Sequence, residues 1–238
     1  MYGWRARIGL MVPSSNTTME SEFYRMAPEG VSIHTARMRL VEAIPEELME
    51  MEKYSEKAAR ELMDADVNIL VYGCTTGSLI GGLDFDLKLA GRLESISRLP
   101  VVATATAVVE ALRELKIKKI IVATPYIDSL NVKEKEFLEG RGFKVINIKG
   151  LNIRRNTEIG RQNPITAYKL VREIFTQEAE GIFVSCTNFR TIEVIELVEK
   201  DFGRPVVTSN QATMWATLRK LGIHESITGY GKLLREHL

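Results

Sequence analysis

Short, continuously apolar segments alternate along the chain with longer segments whose apolar residues recur at helical spacing. A parallel strand that is covered on both faces reads as an unbroken apolar run, often rich in Val and Ile. The alternation therefore predicts an α/β fold with right-handed crossovers between parallel strands. The predicted strands are Ala6–Val12, Val31–Met38, Val67–Gly73, Val101–Ala105, Ile120–Thr124, Phe143–Ile148, Ile182–Ser185 and Val206–Thr208.

The segment 44–65 shows the helical spacing most clearly. Leu48, Met51, Ala58 and Leu62 fall on one face of a single predicted helix, and a proline opens its first turn. Gly or Pro residues end the other helical segments. No Pro-, Gly- or Ser-rich linker interrupts the chain, so strands and helices follow one another throughout.

The chain also repeats itself at a spacing of 112 residues. A repeat of strand and helix positions predicts two similar Rossmann-like βα halves related by pseudo-twofold symmetry, with one cleft between them. We expect one domain to comprise residues 1–105 plus 211–238, and the other 106–210. The positions that match at this spacing are Pro13 and Pro125, Val31 and Phe143, and Cys74 and Cys186. In addition, "VVATATAVVEALRELKI" parallels "VVTSNQATMWATLRKLGI" with a one-residue slip, at a shorter spacing.

Composition and charge exclude several classes of protein. The chain has 238 residues, of which 45% are hydrophobic and 26% are charged, and its formal net charge is +1. A balanced charge does not fit a nucleic-acid partner, and the apolar content does not fit disorder. No apolar run is long enough to cross a membrane, and the N-terminus lacks a signal-peptide pattern. We therefore expect a cytoplasmic protein without a membrane partner.

The two cysteines are the main chemical candidates. Cys74 lies in "VYGCTTG" and Cys186 in "VSCTNFR", each directly after a predicted strand. Ligands of parallel sheets bind at the carboxyl ends of strands, and we expect a helix after each Cys whose N-terminus favours the thiolate. Free cysteines are also common core residues, but two in matched positions favour a functional site. Thr75, Thr76 and Thr187 add hydrogen-bond donors beside the sulfurs.

Three polar loops supply further candidate ligands. Ser15 and Asn16 follow the first strand in "VPSSNTTMESEF", where they also suit a helix cap. Tyr126 follows the fifth strand in "TPYIDSLN", and Asn156 lies in the polar segment "RRNTEIGRQNP". Their hydroxyl and amide groups could bind substrate oxygens, although Tyr126 could equally be a packing residue and Asn156 a turn residue.

No motif indicates a cofactor or a metal. The chain has no Walker loop and no Gly-x-Gly-x-x-Gly sequence after a strand, so we expect no nucleotide cofactor. His34, His224 and His237 show no ligand spacing with either Cys, so we expect no metal. Two cysteines in a chain of this length do not form a disulfide framework.

These motifs resemble the maleate cis-trans isomerase family, within the wider superfamily of aspartate/glutamate racemase-like proteins. The resemblance runs nearly end to end, and it implies a cofactor-free isomerase that acts on maleate or a related small dicarboxylate. It also makes a homodimer plausible. The motifs that carry it are "VPSSNTTME", "VYGCTTGS", "ATPYIDSLN", "RNTEIGR", "SCTNFRT" and "ITGYGKLL".

The resemblance implies a role for each candidate. Cys74 would add as a thiolate to the double bond, which then becomes a single bond and can rotate. Cys186 would supply and later remove the proton on the opposite carbon. Asn16, Tyr126 and Asn156 would hold the two carboxylates, together with backbone N–H groups after each Cys.

Four alternatives stay open at this point. Amino-acid racemases of the superfamily also use two cysteines, and they need an acidic or carbonyl partner for the substrate ammonium group, for which Glu20 is the nearest acidic candidate. Arylmalonate decarboxylases share the Tyr126 loop, the second Cys and the terminal "GYG" but lack the first Cys, so Cys74 counts against that activity. A non-enzymatic dicarboxylate binder needs the cleft without the thiols. A redox protein needs sulfurs close enough to bridge.

Overall fold

Two four-stranded parallel sheets form the frame of the computed structural model, which describes residues 2–238. The strand orders are β2-β1-β3-β4 in the first sheet and β6-β5-β7-β8 in the second. The strands are β1 (Ala6–Pro13), β2 (Val31–Met38), β3 (Ile69–Tyr72), β4 (Val101–Ala103), β5 (Lys119–Thr124), β6 (Lys144–Gly150), β7 (Gly181–Val184) and β8 (Val206–Thr208). The predicted α/β class and all eight predicted strands are confirmed, with ends shifted by up to two residues.

Helices cover the faces of both sheets. Prolines occupy the first turn of α2 and α9, where the missing N–H costs nothing. The helices are α1 (Met19–Met26), α2 (Pro45–Glu52), α3 (Ser55–Met63), α4 (Thr75–Leu79), α5 (Phe85–Ser97), α6 (Thr104–Glu114), α7 (Asp128–Gly140), α8 (Asn156–Gly160), α9 (Pro164–Ile174), α10 (Ile195–Phe202), α11 (Ser209–Lys220) and α12 (Lys232–Glu236).

The strand register reproduces the repeat found in the sequence. Ile8 of β1 pairs with Ile69 of β3, and the positions 112 residues later, Ile120 and Gly181, pair in the same way in the second sheet. The strand register of the two halves is therefore identical at this pair of central strands. They differ at one edge, because the pairing of β5 with β6 shifts by one residue directly after Ile120.

Helices α6 and α11 join the two halves. Each follows the last strand of its own sheet, they pack against each other, and each contacts both β4 and β8. The buried apolar residues of both halves form one continuous cluster as a result. The division into 1–105 plus 211–238 and 106–210 stays a prediction.

Two helix predictions were wrong. The segment 44–65 forms two helices, because the N–H groups of Lys53 and Tyr54 bond three residues back, to Glu50 at 3.2 Å and Met51 at 3.0 Å, and tighten the last turn of α2. Both helices bury the residues that the apolar spacing marked, Leu48 and Met51 in α2 and Ala58 and Leu62 in α3. The expected helix directly after the second Cys is also missing: a turn follows, and α10 begins only at Ile195.

Within residues 2–238, the structure has no helix with the length and apolarity that crossing a membrane would require.

Candidate active site

The two cysteines lie just beyond the central strands of the two sheets. Cys74 follows β3 and Cys186 follows β7, each two residues past the end of its strand. Both are free thiols, and only 5% of Cys74 and 6% of Cys186 is exposed. The carboxyl ends of parallel strands are where this fold class places its ligands. The structure therefore puts both thiols where the repeat predicted them.

Cys74 is the N-cap residue of the short helix α4. Its sulfur accepts a hydrogen bond from the N–H of Gly77 at 3.4 Å. Burial nevertheless raises the pKa of the Cys74 thiol to about 11, and the hydrogen bonds from Gly77 and from the Thr76 side chain offset only part of that rise. Desolvation outweighs the helix terminus because Cys74 is almost completely buried.

Cys186 has a different local environment. Its backbone is left-handed, with φ at 95°, and this turn directs the N–H of Asn188 to the sulfur at 3.4 Å. Burial raises the pKa of the Cys186 thiol to about 12, and hydrogen bonds from Asn188 and the Tyr126 side chain lower it in part. The expectation that a helix N-terminus favours this thiolate is wrong, since no helix follows.

The two thiols influence each other. The charge of a Cys74 thiolate raises the pKa of Cys186, so ionising both sulfurs together is unfavourable. Such a pair loses its protons in two coupled steps. The chemistry available to this site is therefore that of one thiolate acting beside one thiol.

Ser209, which the sequence analysis missed, links the two cysteine segments. Its hydroxyl oxygen accepts from the Thr75 hydroxyl at 2.8 Å and from the N–H of Cys186 at 3.0 Å. Ser209 is the first residue of α11. The parallel between "VVATAT" and "VVTSNQ" already placed it at the start of a helix after a strand, so the repeat contained the signal.

Asn16 is buried and fully oriented. Its side-chain oxygen accepts from the N–H groups of Thr18 and Met19, both at 3.0 Å, and so caps the start of α1. Its amide nitrogen donates to the Thr187 hydroxyl at 3.1 Å, and that hydroxyl donates to the carbonyl of Gly73 at 3.2 Å. The amide has a second N–H, which is available to donate to a ligand oxygen.

Asn156 and Ser15 meet across the two halves. The Asn156 amide donates to the Ser15 hydroxyl at 2.8 Å. Asn188, a second residue that the sequence analysis missed, donates to the Asn156 carbonyl at 2.6 Å and accepts from the N–H of Thr17 at 2.8 Å. The polar loops after β1, β6 and β7 thus form one hydrogen-bonded layer beside the thiols.

The loops that follow β2 and β6 pair with each other at the Asn156 end of this layer. The N–H of Ala43 donates to the Arg154 carbonyl at 2.7 Å, and the N–H of Asn156 donates to the Val41 carbonyl at 3.1 Å. Glu42 and Arg154, which are 112 positions apart in the sequence, form an ion pair at 3.1 Å. Equivalent loops of the two halves therefore pair with each other.

Tyr126 belongs to a buried polar chain on the other side of Cys186. Its hydroxyl lies 3.4 Å from the Ser185 hydroxyl, which lies 2.5 Å from a carboxyl oxygen of Glu134. Burial raises the pKa of Glu134 from 4.5 to about 8. Neither Ser185 nor Glu134 was predicted as a site residue. Glu134 could have been found from the repeat, because it lies 112 positions after Glu22.

The remaining sequence candidates lie elsewhere. Glu20 forms a surface ion pair with Arg37 at 3.0 Å, so it does not supply the ammonium partner that a racemase needs. His34 contacts Ser32 on β2, and His237 contacts Glu114 near the C-terminus. Among residues 2–238, no cluster of three or more His, Cys, Asp or Glu side chains could hold a metal ion.

This fold and this site define a pseudosymmetric α/β protein that brings one thiol from each half to a shared site. The family model described as arylmalonate decarboxylase matches residues 8–234. A maleate isomerase of Pseudomonas putida is 33% identical over 241 residues, which cover 96% of each chain. The chain belongs to the family of the arylmalonate decarboxylases and maleate isomerases, and the resemblance carried by the sequence motifs is confirmed.

Solved structures agree with this assignment. A cysteine-to-alanine variant of the maleate isomerase Iso from Pseudomonas putida S16, with maleate, has a TM-score of 0.95 at 28% identity and covers 98% of each chain. A cysteine-to-serine variant of the Nocardia farcinica maleate cis-trans isomerase has a covalently bound succinylcysteine intermediate. It has a TM-score of 0.94 at 29% identity and covers 98% of this chain and 99% of that one.

Proposed function

We propose that this protein is a cofactor-independent cis-trans isomerase that converts maleate to fumarate through a covalent adduct on Cys74. The observation that carries the proposal is the pair of buried thiols, one from each half, at the ends of β3 and β7. The succinylcysteine of the Nocardia relative supports an adduct of this kind. A dicarboxylate with a double bond suits a site in which one sulfur adds and the other transfers a proton.

The first step is addition. The Cys74 thiolate forms a bond to one olefinic carbon, and the π electrons move to the other carbon, next to its carboxylate. The thiol proton of Cys186 then transfers to that carbon and leaves a Cys186 thiolate. The hydrogen bonds from Gly77 and Thr76 to the Cys74 sulfur stabilise the thiolate before it reacts.

Rotation and elimination complete the cycle. The central bond of the succinyl thioether is single, so it rotates without the barrier of a double bond. The Cys186 thiolate removes the proton, the double bond re-forms as trans, and Cys74 leaves as the thiolate. The proton count balances, because the cycle returns one thiolate and one thiol to the residues that held them.

Neutral donors around the thiols would hold the two carboxylates. The free N–H of Asn16 and the amide of Asn156 lie on the layer formed by the polar loops, and Tyr126 lies beyond Cys186. Ser15, Thr75 and Thr187 orient this layer through their hydroxyl groups. Donors fixed in advance stabilise the charge that develops on the carboxylate next to the carbanion.

The direct test is proton NMR of the reduced protein with maleate in D₂O and no added cofactor. We expect a growing fumarate signal and deuterium at an olefinic carbon where Cys186 exchanges its proton with solvent. A folded, reduced protein that produces no fumarate would exclude maleate as the substrate. Assays of amino-acid racemisation and of malonate decarboxylation would then separate the two other enzyme classes, and dicarboxylate binding without turnover would indicate a binding protein.

A homodimeric assembly and a cytoplasmic location complete the proposal. The resemblance carried by the sequence motifs makes the homodimer plausible. Light scattering of the purified protein checks the first, and fractionation of the native cells checks the second.

A further inference from the structure

Glu134 is a buried carboxyl group that the proposed reaction does not use. It lies on α7 with no exposed surface, and it shares a small gap with apolar side chains of α4, α6 and β7. One carboxyl oxygen lies 2.5 Å from the Ser185 hydroxyl, and the other has no hydrogen-bond partner. A buried carboxylate can accept up to four hydrogen bonds, and leaving most of them unmade destabilises the charged form strongly. A neutral carboxylic acid with a single partner is destabilised far less by burial. The surroundings therefore favour the acid form.

The hydroxyl groups of Ser185 and Tyr126 form a hydrogen-bond chain from Glu134 to the site, and all its bonds must point in the same direction. Ser185 and Tyr126 each have a single hydroxyl proton, so each can donate only one hydrogen bond. If Glu134 donates to Ser185, then Ser185 donates to Tyr126, and the Tyr126 proton is free to point at Cys186 or at a substrate carboxylate. If Glu134 is ionised, it accepts the hydrogen bond from the Ser185 hydroxyl. The Ser185 oxygen then accepts from the Tyr126 hydroxyl, whose proton points away from the site.

We propose that Glu134 is a positioning residue, which in its acid form directs the hydrogen-bond chain Glu134–Ser185–Tyr126 towards Cys186 and the bound substrate. The proposal deepens the isomerase assignment and rests on it for its kinetic consequences. Tyr126 touches the reacting groups, whereas Glu134 acts only through Ser185.

The other titratable groups around the chain do not compete for this role. Tyr126, Cys186 and Cys74 are the groups that interact with it, and none of them is a cation. Helix α7 packs against β6 and α4. The charged residues of β6 are exposed and pair with surface glutamates, Lys144 with Glu178 and Lys149 with Glu173. Glu134 itself has no ion pair within residues 2–238.

Burial favours the acid form of Glu134 at neutral pH and sets the pH range in which the proton is lost. The pKa of Glu134 is raised to about 8 by burial, and the Ser185 hydrogen bond lowers it only in part. The folded pKa lies above the ordinary value of 4.5, so the proton is held through neutral pH and leaves as the pH rises through 8. The donor chain should therefore reverse above pH 8.

The test compares the wild type with Glu134→Gln, whose amide donates to Ser185 at every pH. Glu136→Gln, on the exposed side of the same helix, is the matched control. We expect the ratio of kcat/KM for maleate isomerisation, wild type over Glu134→Gln, to be constant below about pH 7 and to fall about tenfold by about pH 9. The part of the thiol titration that does not depend on Glu134 is common to both proteins and cancels in this ratio. A ratio that stays constant across the same range would overturn the proposal.

A second measurement does not depend on maleate. In a Cys74→Ser background, the rate of Cys186 alkylation by iodoacetamide reports the thiolate fraction. The alkylation rate of Cys74→Ser is divided by that of the double variant Cys74→Ser/Glu134→Gln. We expect this ratio to fall several-fold between about pH 7 and about pH 9, because the ionised carboxyl turns the Tyr126 donor away from Cys186. A constant alkylation ratio would reject the positioning role. If the alkylation ratio changes with pH but the protein does not isomerise maleate, the positioning role of Glu134 stands and the proposed function is rejected.

Discussion

Glu22 and Glu134 occupy equivalent positions of the two halves, 112 residues apart, yet they have opposite surroundings. Glu22 on α1 accepts hydrogen bonds from the backbone N–H groups of Thr191 and Ile192 and from the amide of Asn210. Glu134 has one hydroxyl partner and one unpartnered oxygen. The repeat therefore places two buried carboxyls by symmetry, but one ties the halves together and the other lies behind Tyr126.

Replacing Glu22 should change how stability depends on pH. Burial raises the pKa of Glu22 from 4.5 to about 7, so its contribution to stability is fully present below pH 4.5 and is lost as the pH rises through 7. The loss is at most about 1.4 kcal/mol per pH unit. We expect urea unfolding of Glu22→Gln to show a flatter dependence between about pH 5 and about pH 7. Parallel curves for variant and wild type would contradict the assigned pKa.

The role proposed for Cys186 can be tested by trapping the adduct. In Cys186→Ser the group that removes the proton from the succinyl thioether is gone, so elimination should slow while addition still occurs. We expect mass spectrometry after incubation with maleate to find one added maleic acid on the peptide that contains Cys74. Cys74→Ser should carry no such mass, and a modification at another residue would disprove Cys74 as the nucleophile.

Asn16→Asp separates the two roles of Asn16. The aspartate keeps an oxygen for the N–H groups of Thr18 and Met19, but it loses the amide donor and adds a charge that repels the substrate carboxylates. We expect KM for maleate to rise by at least about tenfold with thermal stability near wild type. Asn16→Ala, which also loses the cap, should cost about 1 kcal/mol of stability. Equal KM values for Asn16→Asp and wild type would remove Asn16 from the carboxylate site.

The left-handed backbone at Cys186 predicts an unusual order of stability among its variants. A non-glycine residue at φ 95° costs about 1–2 kcal/mol, and glycine removes that cost. We expect Cys186→Gly to unfold at a higher urea concentration than Cys186→Ala. Cys74 has φ at −148°, which any residue adopts, so Cys74→Gly should be the less stable of its own pair. The same order at both positions would argue against strain at Cys186.

The motifs that carried the resemblance do not all belong to the site. The late "ITGYGKLL" segment is structural: the Tyr230 hydroxyl donates to the Arg25 carbonyl at 2.8 Å, and the Tyr230 carbonyl accepts from Gln211 at 2.6 Å. A Cβ at Gly231 would lie 2.4 Å from Ile195, so only glycine fits there. These contacts tie the C-terminal segment to α1, α10 and α11 rather than to substrate.

The sequence by itself determined the architecture and the positions of both thiols. Apolar runs and helical spacing are local properties, and they predicted all eight strands. The 112-residue spacing predicted that Cys74 and Cys186 would occupy equivalent strand ends, because a repeated sequence folds into a repeated structure.

Only the tertiary structure decided the electrostatic state of the site. The pattern predicted thiolates favoured by helix N-termini, but burial raises the pKa of Cys74 to about 11 and that of Cys186 to about 12. The contacts of Ser209, Asn188 and Glu134 likewise join segments far apart in the chain. Desolvation and long-range hydrogen bonds depend on what surrounds a group in three dimensions, and residue order does not contain that information.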